Sequence, residues 1–168
     1  AKVDGSAVYG IDVFLPGMVY ARWLSPPVRY GATPKSVNDS AAKSVDGYIG
    51  TIMAPGTSMQ NGYALAIAET KHAVDSAAAA IEVDWEHGPF ADVSSESLLN
   101  ESRKLIDDKN AGVAFVLDGD VEAGLSASSD VHEAEYTTSI LAHACMEPMN
   151  CVATEQDGTY HIFVGTQW

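Results

Sequence analysis

The residues of this chain that could do chemistry gather near its C-terminal end, in residues 142–168, AHACMEPMNCVATEQDGTYHIFVGTQW. His143 and Glu147 stand at i, i+4 spacing, which on a helix would place them on one face as a general acid–base pair. Pro148 directly follows Glu147 and disfavours helix at the residue before it, so the stronger reading is structural, a tie in the loop ahead of a hairpin. Cys145 and Cys151 are six positions apart, fit no compact metal-ligand spacing, and are not completed by His143. Two cysteines are also too few for a disulfide framework. They read as buried or inert thiols, with a disulfide in an exported protein or an adventitious metal left open. Met146 and Met149 flank Glu147 and read as core packing before soft-metal binding. His72, His87, His132 and His161 are scattered, the pattern of surface or hydrogen-bonded core histidines. Residues 151–154 and 159–164 are strand-like, with Gln156-Asp157-Gly158 as turn chemistry between them. The second strand delivers Gly165-Thr166-Gln167, whose terminal amide is both donor and acceptor. Gln167 is therefore the candidate contact, and no residue is assigned as catalytic or as a metal ligand.

The elements that must position this cluster alternate between short strands and helices. Tyr9 to Val13 alternates apolar and polar, Leu15-Pro16-Gly17 turns the chain, and residues 18–24 read as a strand ended by Pro26-Pro27. Asp39 can cap a short helix through Ala41, Ala42 and Val45, with Gly47 at its C-terminal side. A strand at residues 48–53 closes at Pro55-Gly56. An apolar strand at residues 63–68, a helix capped by Thr70 and running to about Ala80, and a strand at residues 81–85 make a βαβ-like unit. Its strands run parallel if they share a sheet. The first turn reads Ala68-Glu69-Thr70 and lacks Gly-x-Gly-x-x-Gly, which removes the dinucleotide-binding fingerprint. After Pro89, Ser94-Ser95-Glu96 opens an amphipathic helix through Leu98, Leu99, Leu105 and Ile106, ended by Asp107-Asp108-Lys109-Asn110 and Gly112. Residues 113–117 read as a short strand, Asp120 caps a helix through Val121 and Leu125, and residues 131–140 return as a strand. The class is α+β: a mixed sheet with packed helices.

At 168 residues and 46% hydrophobic content, one domain over residues 1–168 with its own core is expected. Nine basic residues against 23 acidic ones give a net charge of −14, which argues against nucleic-acid or anionic-membrane partners. No apolar run approaches the ~18 residues of a spanning helix. The chain opens Ala1-Lys2-Val3, without Met, so a signal peptide would lie outside it and the compartment stays open.

Several stretches together resemble one family. Residues 2–21 read Lys-Val-Asp-Gly-Ser-Ala-x-Tyr-Gly-Ile-Asp-Val-x-Leu-Pro-Gly-Met-Val-Tyr-Ala. Residues 61–70 read Asn-Gly-x-Ala-x-x-x-Ala-Glu-Thr, and residues 81–89 read Ile-Glu-Val-Asp-Trp-Glu-x-Gly-Pro. Residues 143–148 read His-Ala-x-Met-Glu-Pro, followed by the hairpin and Thr166-Gln167. Their order and spacing resemble the molybdenum hydroxylases, which include xanthine dehydrogenase, aldehyde oxidase and the isoquinoline 1-oxidoreductase large subunit. The resemblance implies an α/β hammerhead domain, with the molybdopterin-binding domain following Trp168. It implies a parent enzyme that hydroxylates aldehydes or N-heterocycles at a molybdenum–pterin cofactor and passes electrons to iron–sulfur clusters on a partner subunit or domain. It gives Gln167 a place near the molybdenum, an amide oriented toward the cofactor. The catalytic glutamate and most pterin-contacting loops belong to C-terminal domains of the same subunit, so this stretch alone is expected to hold no cofactor. The alternative is a stand-alone binding or scaffold module without redox chemistry. A reading frame continuing past Trp168 into a Gly-rich cofactor-binding segment would discriminate the two.

Overall fold

The computed structural model describes residues 1–57, 60–108, 110–116, 118–141 and 145–166. Two compact units are present: residues 1–91 with the described residues after 144, and residues 92–141.

The first unit holds strands β1 (Tyr20–Leu24), β2 (Thr33–Asn38), β3 (Tyr48–Ala54) and β4 (Tyr63–Ala68), helix α1 (Lys71–Ala80) and strand β5 (Glu82–Glu86). One sheet has the order β1-β4-β3, antiparallel throughout, with Tyr20 opposite Ala68 and Ala54 opposite Tyr63. β4 is central and alternates: Ala64, Ala66 and Ala68 are fully buried, and the residues between them only partly so. Period-2 placement of small side chains gives one flat face, and α1 lies on it with Ala73, Val74 and Ala77 buried. Ala78 packs at the margin of this cluster, which Ala42 and Ile81 complete. The Thr70 Oγ1 accepts from Ala73 N at 3.1 Å and satisfies one of the helix's free first-turn donors.

The βαβ-like reading needs correction here. β5 does not join β4; it pairs antiparallel with β2 in a separate two-stranded sheet, Val83 opposite Val37. Helix α1 therefore links two sheets and crosses over no parallel pair. β2 escaped the sequence reading because Thr33-Pro34-Lys35-Ser36 is polar and contains a proline. A two-stranded sheet has only edges, where proline is tolerated, and the register shifts between Pro34 and Ser36.

The family-like Asn61-Gly62 pair has a packing explanation. Asn61 Oδ1 accepts from Ala32 N at 3.0 Å, and its Nδ2 donates to the carbonyls of Val28 and Arg29, both at 2.9 Å. Gly62 N donates to Ala32 O at 2.7 Å, and a Cβ on Gly62 would stand 2.6 Å from both Ala54 O and Gly56 N. Only glycine lets these backbones approach so closely.

Other expectations shift locally. Gly10–Asp12 forms a 3-10 turn where alternation suggested a strand. Ala42–Ser44 is likewise only a 3-10 turn, because the Asp39 carboxylate turns to Lys43 at 2.8 Å and the Tyr48 hydroxyl at 3.1 Å instead of capping.

In the second unit, α2 (Ser95–Asp107) starts where Ser94 Oγ accepts from Ser97 N at 3.0 Å, and α3 (Val121–Ala127) where Asp120 Oδ1 accepts from Ala123 N at 3.0 Å. Residues 113–116 and 131–140 form no strand among the described residues. A strand needs a partner ladder, and no described element supplies one, so Phe115 and Tyr136 stay exposed. Arg103 binds Glu135 at 2.7 Å within this unit. Every strand pair among the described residues is antiparallel, and the molecule is α+β. Among the described residues, no helix is long and apolar enough to cross a membrane.

Candidate functional site

The site is built at the base of the hairpin formed by β6 (Cys151–Gln156) and β7 (Thr159–Val164). The turn between them places Asp157 at φ 51° and Gly158 at φ 76°, both positive as a two-residue type I′ connection needs. That turn fixes the register: Gln156 faces Thr159, and Cys151 faces Val164. Ladder pairing therefore ends at Val164, and Gly165 and Thr166 leave the sheet.

Glu147 meets them there. Its Oε1 accepts from Gly10 N at 3.0 Å and from Asn150 Nδ2 at 3.3 Å. Asn150 Nδ2 also donates to Pro148 O at 2.7 Å, while Asn150 Oδ1 is buried without a partner. Gly10 opens the 3-10 turn, so its N–H has no partner within that turn, and a carboxylate at such an end is electrostatically favourable. A Cβ on Gly10 would lie 2.5 Å from Asn150 Oδ1, and one on Gly165 would lie 3.0 Å from Glu147 Oε2. Two glycines distant in sequence thus abut one carboxylate and its amide neighbour.

Glu147 and Gly165 both line two hollows. One, about 380 Å³, lies toward Val8, Tyr9, Val13 and Phe163. The other, about 660 Å³, lies toward Cys145, Pro148, Met149, Asn150, Val164 and Thr166. A third groove, about 420 Å³, sits apart between Trp23, Tyr63, Arg29 and Asn61; no imidazole, thiol or carboxylate lines it among the described residues.

The sequence candidates fare unevenly. Gln167 and His143 lie outside the described residues, so the His143–Glu147 pair has no geometry to test. Glu147 is not on a helix, and its bonds to Gly10 and Asn150 agree with the structural reading. Cys145 and Cys151 are free and exposed, against the expectation of burial. Met146 and Met149 are also exposed, not core, because their loop runs over the surface with no sheet or helix covering it. His72, His87, His132 and His161 are exposed. No group of three or more His, Cys, Asp or Glu side chains converges among the described residues. Sequence reasoning missed Gly10, Asn150 and Gly165 as parts of the cluster. Only Gly165 carried a local signal, by following a strand and preceding Thr166-Gln167.

With this geometry established, comparison with known proteins identifies the class. Residues 106–168 match the molybdopterin cofactor-binding domain family. The chain is 36% identical over 169 residues to a membrane-bound aldehyde dehydrogenase of Gluconacetobacter polyoxogenes, named for pyrroloquinoline-quinone, covering 100% of this chain and 22% of that protein. It is 32% identical to the isoquinoline 1-oxidoreductase subunit beta of Brevundimonas diminuta, covering 99% of this chain and 22% of that protein. Against a probable xanthine dehydrogenase component of Bacillus subtilis it is 27% identical, covering 99% of this chain and 25% of that protein. A reconstituted CO dehydrogenase structure from Oligotropha carboxidovorans overlays 51% of this chain and 14% of that chain, with TM-score 0.38 and 22% identity. These matches support the molybdenum hydroxylase family: residues 106–168 fit the molybdopterin cofactor-binding model, and the whole chain is similar to a part of each relative. More particularly, it spans about a quarter of the length of the curated relatives it matches, and the molybdopterin-binding pattern runs through its residues 106–168.

The described residues at the end of β7 suit part of such a cofactor. The backbone of Gly165 and Thr166 and the Glu147 carboxylate are the kinds of group that bind the polar edge of a pterin, and Cys145, Met149 and Val164 offer apolar wall. No lysine or arginine lines this hollow among the described residues.

Proposed function

We propose that this chain is a non-catalytic part of a molybdopterin-dependent oxidoreductase that hydroxylates aldehydes or N-heterocycles. It packs against the C-terminal cofactor domains of its own subunit and contributes one contact, Gln167. The observation that carries this reading is the match of residues 106–168 to the molybdopterin-binding family, falling on the hairpin whose second strand runs into Gly165-Thr166-Gln167. The aldehyde, isoquinoline and xanthine in the relatives' names support this substrate class. The quinone in the name of the Gluconacetobacter relative points to another cofactor; the molybdopterin cofactor-binding model that residues 106–168 match supports molybdopterin.

When bound, the molybdenum–pterin group supplies the two-electron oxidation and the water-derived oxygen, with an iron–sulfur subunit taking the electrons. The chain's own part is orientation. A glutamine amide on a strand end can donate to one group and accept from another with no change of charge, which holds a cofactor in one attitude. A neutral amide neither gives nor takes a proton near neutral pH, so Gln167 is a contact and not an acid or base.

Comparing the full-length subunit with its Gln167→Ala variant tests this. Loss of one preorganised donor in an enclosed site costs roughly 10²–10³-fold in rate. Turnover should fall on that scale, while in the isolated chain the unfolding midpoint should stay within ~0.5 kcal/mol of wild type. Wild-type turnover with full molybdenum occupancy in the variant would rule out the cofactor contact.

A further inference from the structure

We propose that Glu147 is a positioning residue for the strand end that carries Thr166 and Gln167, a proposal that rests on the reading of Gln167 as a cofactor contact. Cys151 opposite Val164 is the last pair of the ladder, so the direction of the chain beyond Val164 is no longer set by strand pairing. What Gly165 abuts is the Glu147 carboxylate, close enough that a Cβ there would stand 3.0 Å from Oε2 and 3.6 Å from Cδ.

That carboxylate is itself held from two sides. Gly10 N and Asn150 Nδ2 both donate to Oε1, the first across a sequence separation of 137 residues. The second oxygen is thereby turned toward Gly165. Charged acceptors make the stronger hydrogen bonds, and a group fixed by two donors has little rotamer freedom left. Glu147 thus joins three remote pieces of chain: the 3-10 turn at Gly10–Asp12, the loop before β6, and the exit from β7. Glycine at 10 and at 165 leaves room for this meeting, since a Cβ at 10 would require the Asn150 amide to shift and one at 165 would press on Glu147 Oε2 at 3.0 Å. Glu147 acts through the direction it gives Gly165 and Thr166, without touching the reacting atoms.

The test measures amide hydrogen exchange by mass spectrometry, and turnover, on the full-length subunit in wild type, Glu147→Ala and Glu147→Gln. The alanine variant should speed exchange about tenfold in the peptides containing Gly10 and Gly165-Thr166 together, while residues 152–163 of the hairpin keep their protection. Gln keeps a carbonyl acceptor for both donors and should restore the wild-type pattern. A misplacement of the strand end should lower kcat by roughly tenfold to 10²-fold with KM little changed. The combined Glu147→Ala, Gln167→Ala variant should be no slower than Gln167→Ala alone, because both act on one contact. Unchanged exchange at Gly165-Thr166 in Glu147→Ala, or a rate penalty that multiplies that of Gln167→Ala, overturns the proposal. Should Glu147→Ala fail to fold, Gly165→Ala keeps the carboxylate but pushes it aside, and must speed exchange at the same two peptides. Full turnover and full metal in Gln167→Ala would instead sink the cofactor contact, leaving exchange to decide whether Glu147 holds the strand end.

Discussion

Two carboxylates show how the same residue type is used differently within this molecule. Glu147 is spent on backbone and amide donors from distant parts of the chain. Asp39 stays local, with Lys43 Nζ at 2.8 Å and the Tyr48 hydroxyl at 3.1 Å, and that hydroxyl lies 2.6 Å from Thr51 Oγ1. The hydrogen bond from Lys43 holds the Asp39 carboxyl below its ordinary value, and burial pushes the Tyr48 phenol up. A depressed folded-state value means stabilisation that is present above the unfolded value of ~3.9 and lost as pH falls through the lowered folded value. Replacing Asp39 by Asn should therefore lower the unfolding midpoint slightly near neutrality, where this solvent-screened stabilisation is present, and flatten its acid limb below about pH 4, where both proteins lack it. Thermal unfolding of both proteins across the acid range checks it; identical acid limbs would show that Asp39 contributes nothing to folding.

Among elements, α1 on β4 is the contact with the most definite energetic content. Its interface is made of Ala66, Ala68, Ala73, Val74 and Ala77, side chains so small that helix and sheet backbones approach closely. Such an interface has little slack, and cores pack near crystalline density. Ala77 is fully buried, so Ala77→Leu should overpack it by ~1–3 kcal/mol. Denaturant titration of the chain measures this, and equal midpoints and slopes would show that the helix face can yield. The hairpin β6–β7 differs: β7 is exposed along its whole length, and a two-stranded ribbon is marginal by itself.

At the scale of the whole molecule, the buried core is small-residue and the exposed apolar surface is large. Met146 at 102%, Val3 at 100% and Phe115 at 98% relative exposure are the extremes among the described residues, beside a net charge of −14. Large exposed apolar side chains in such number are candidates for cover by another surface. On the proposed reading, the remaining three-quarters of a subunit of the relatives' length supplies it, together with the bulk of the cofactor cradle. The purified 168-residue chain is then expected neither to retain molybdenum nor to oxidise aldehydes. Metal analysis with a dye-reduction assay decides this; stoichiometric molybdenum or turnover in the isolated chain would contradict it.

What the sequence determined by itself is what local chemistry controls. Thr70, Ser94 and Asp120 announce their helices because a cap needs only a side-chain oxygen and an N–H a few residues on. The strand Tyr63–Ala68 and the hairpin strand Thr159–Val164 follow from side-chain type and turn residues, and the family from motif order across the chain. Tertiary structure alone decided which strands share a sheet, since pairing β5 with β2 and not β4 depends on partners remote in sequence. It also decided that residues 131–140, strand-like in composition, have no ladder to join, and that Met146 and Met149 face outward. Glu147 carried a name in the sequence but no partner. Only the fold brings Gly10 and Gly165 to its carboxylate, because a hydrogen bond spanning 137 residues leaves no trace in the spacing of its ends.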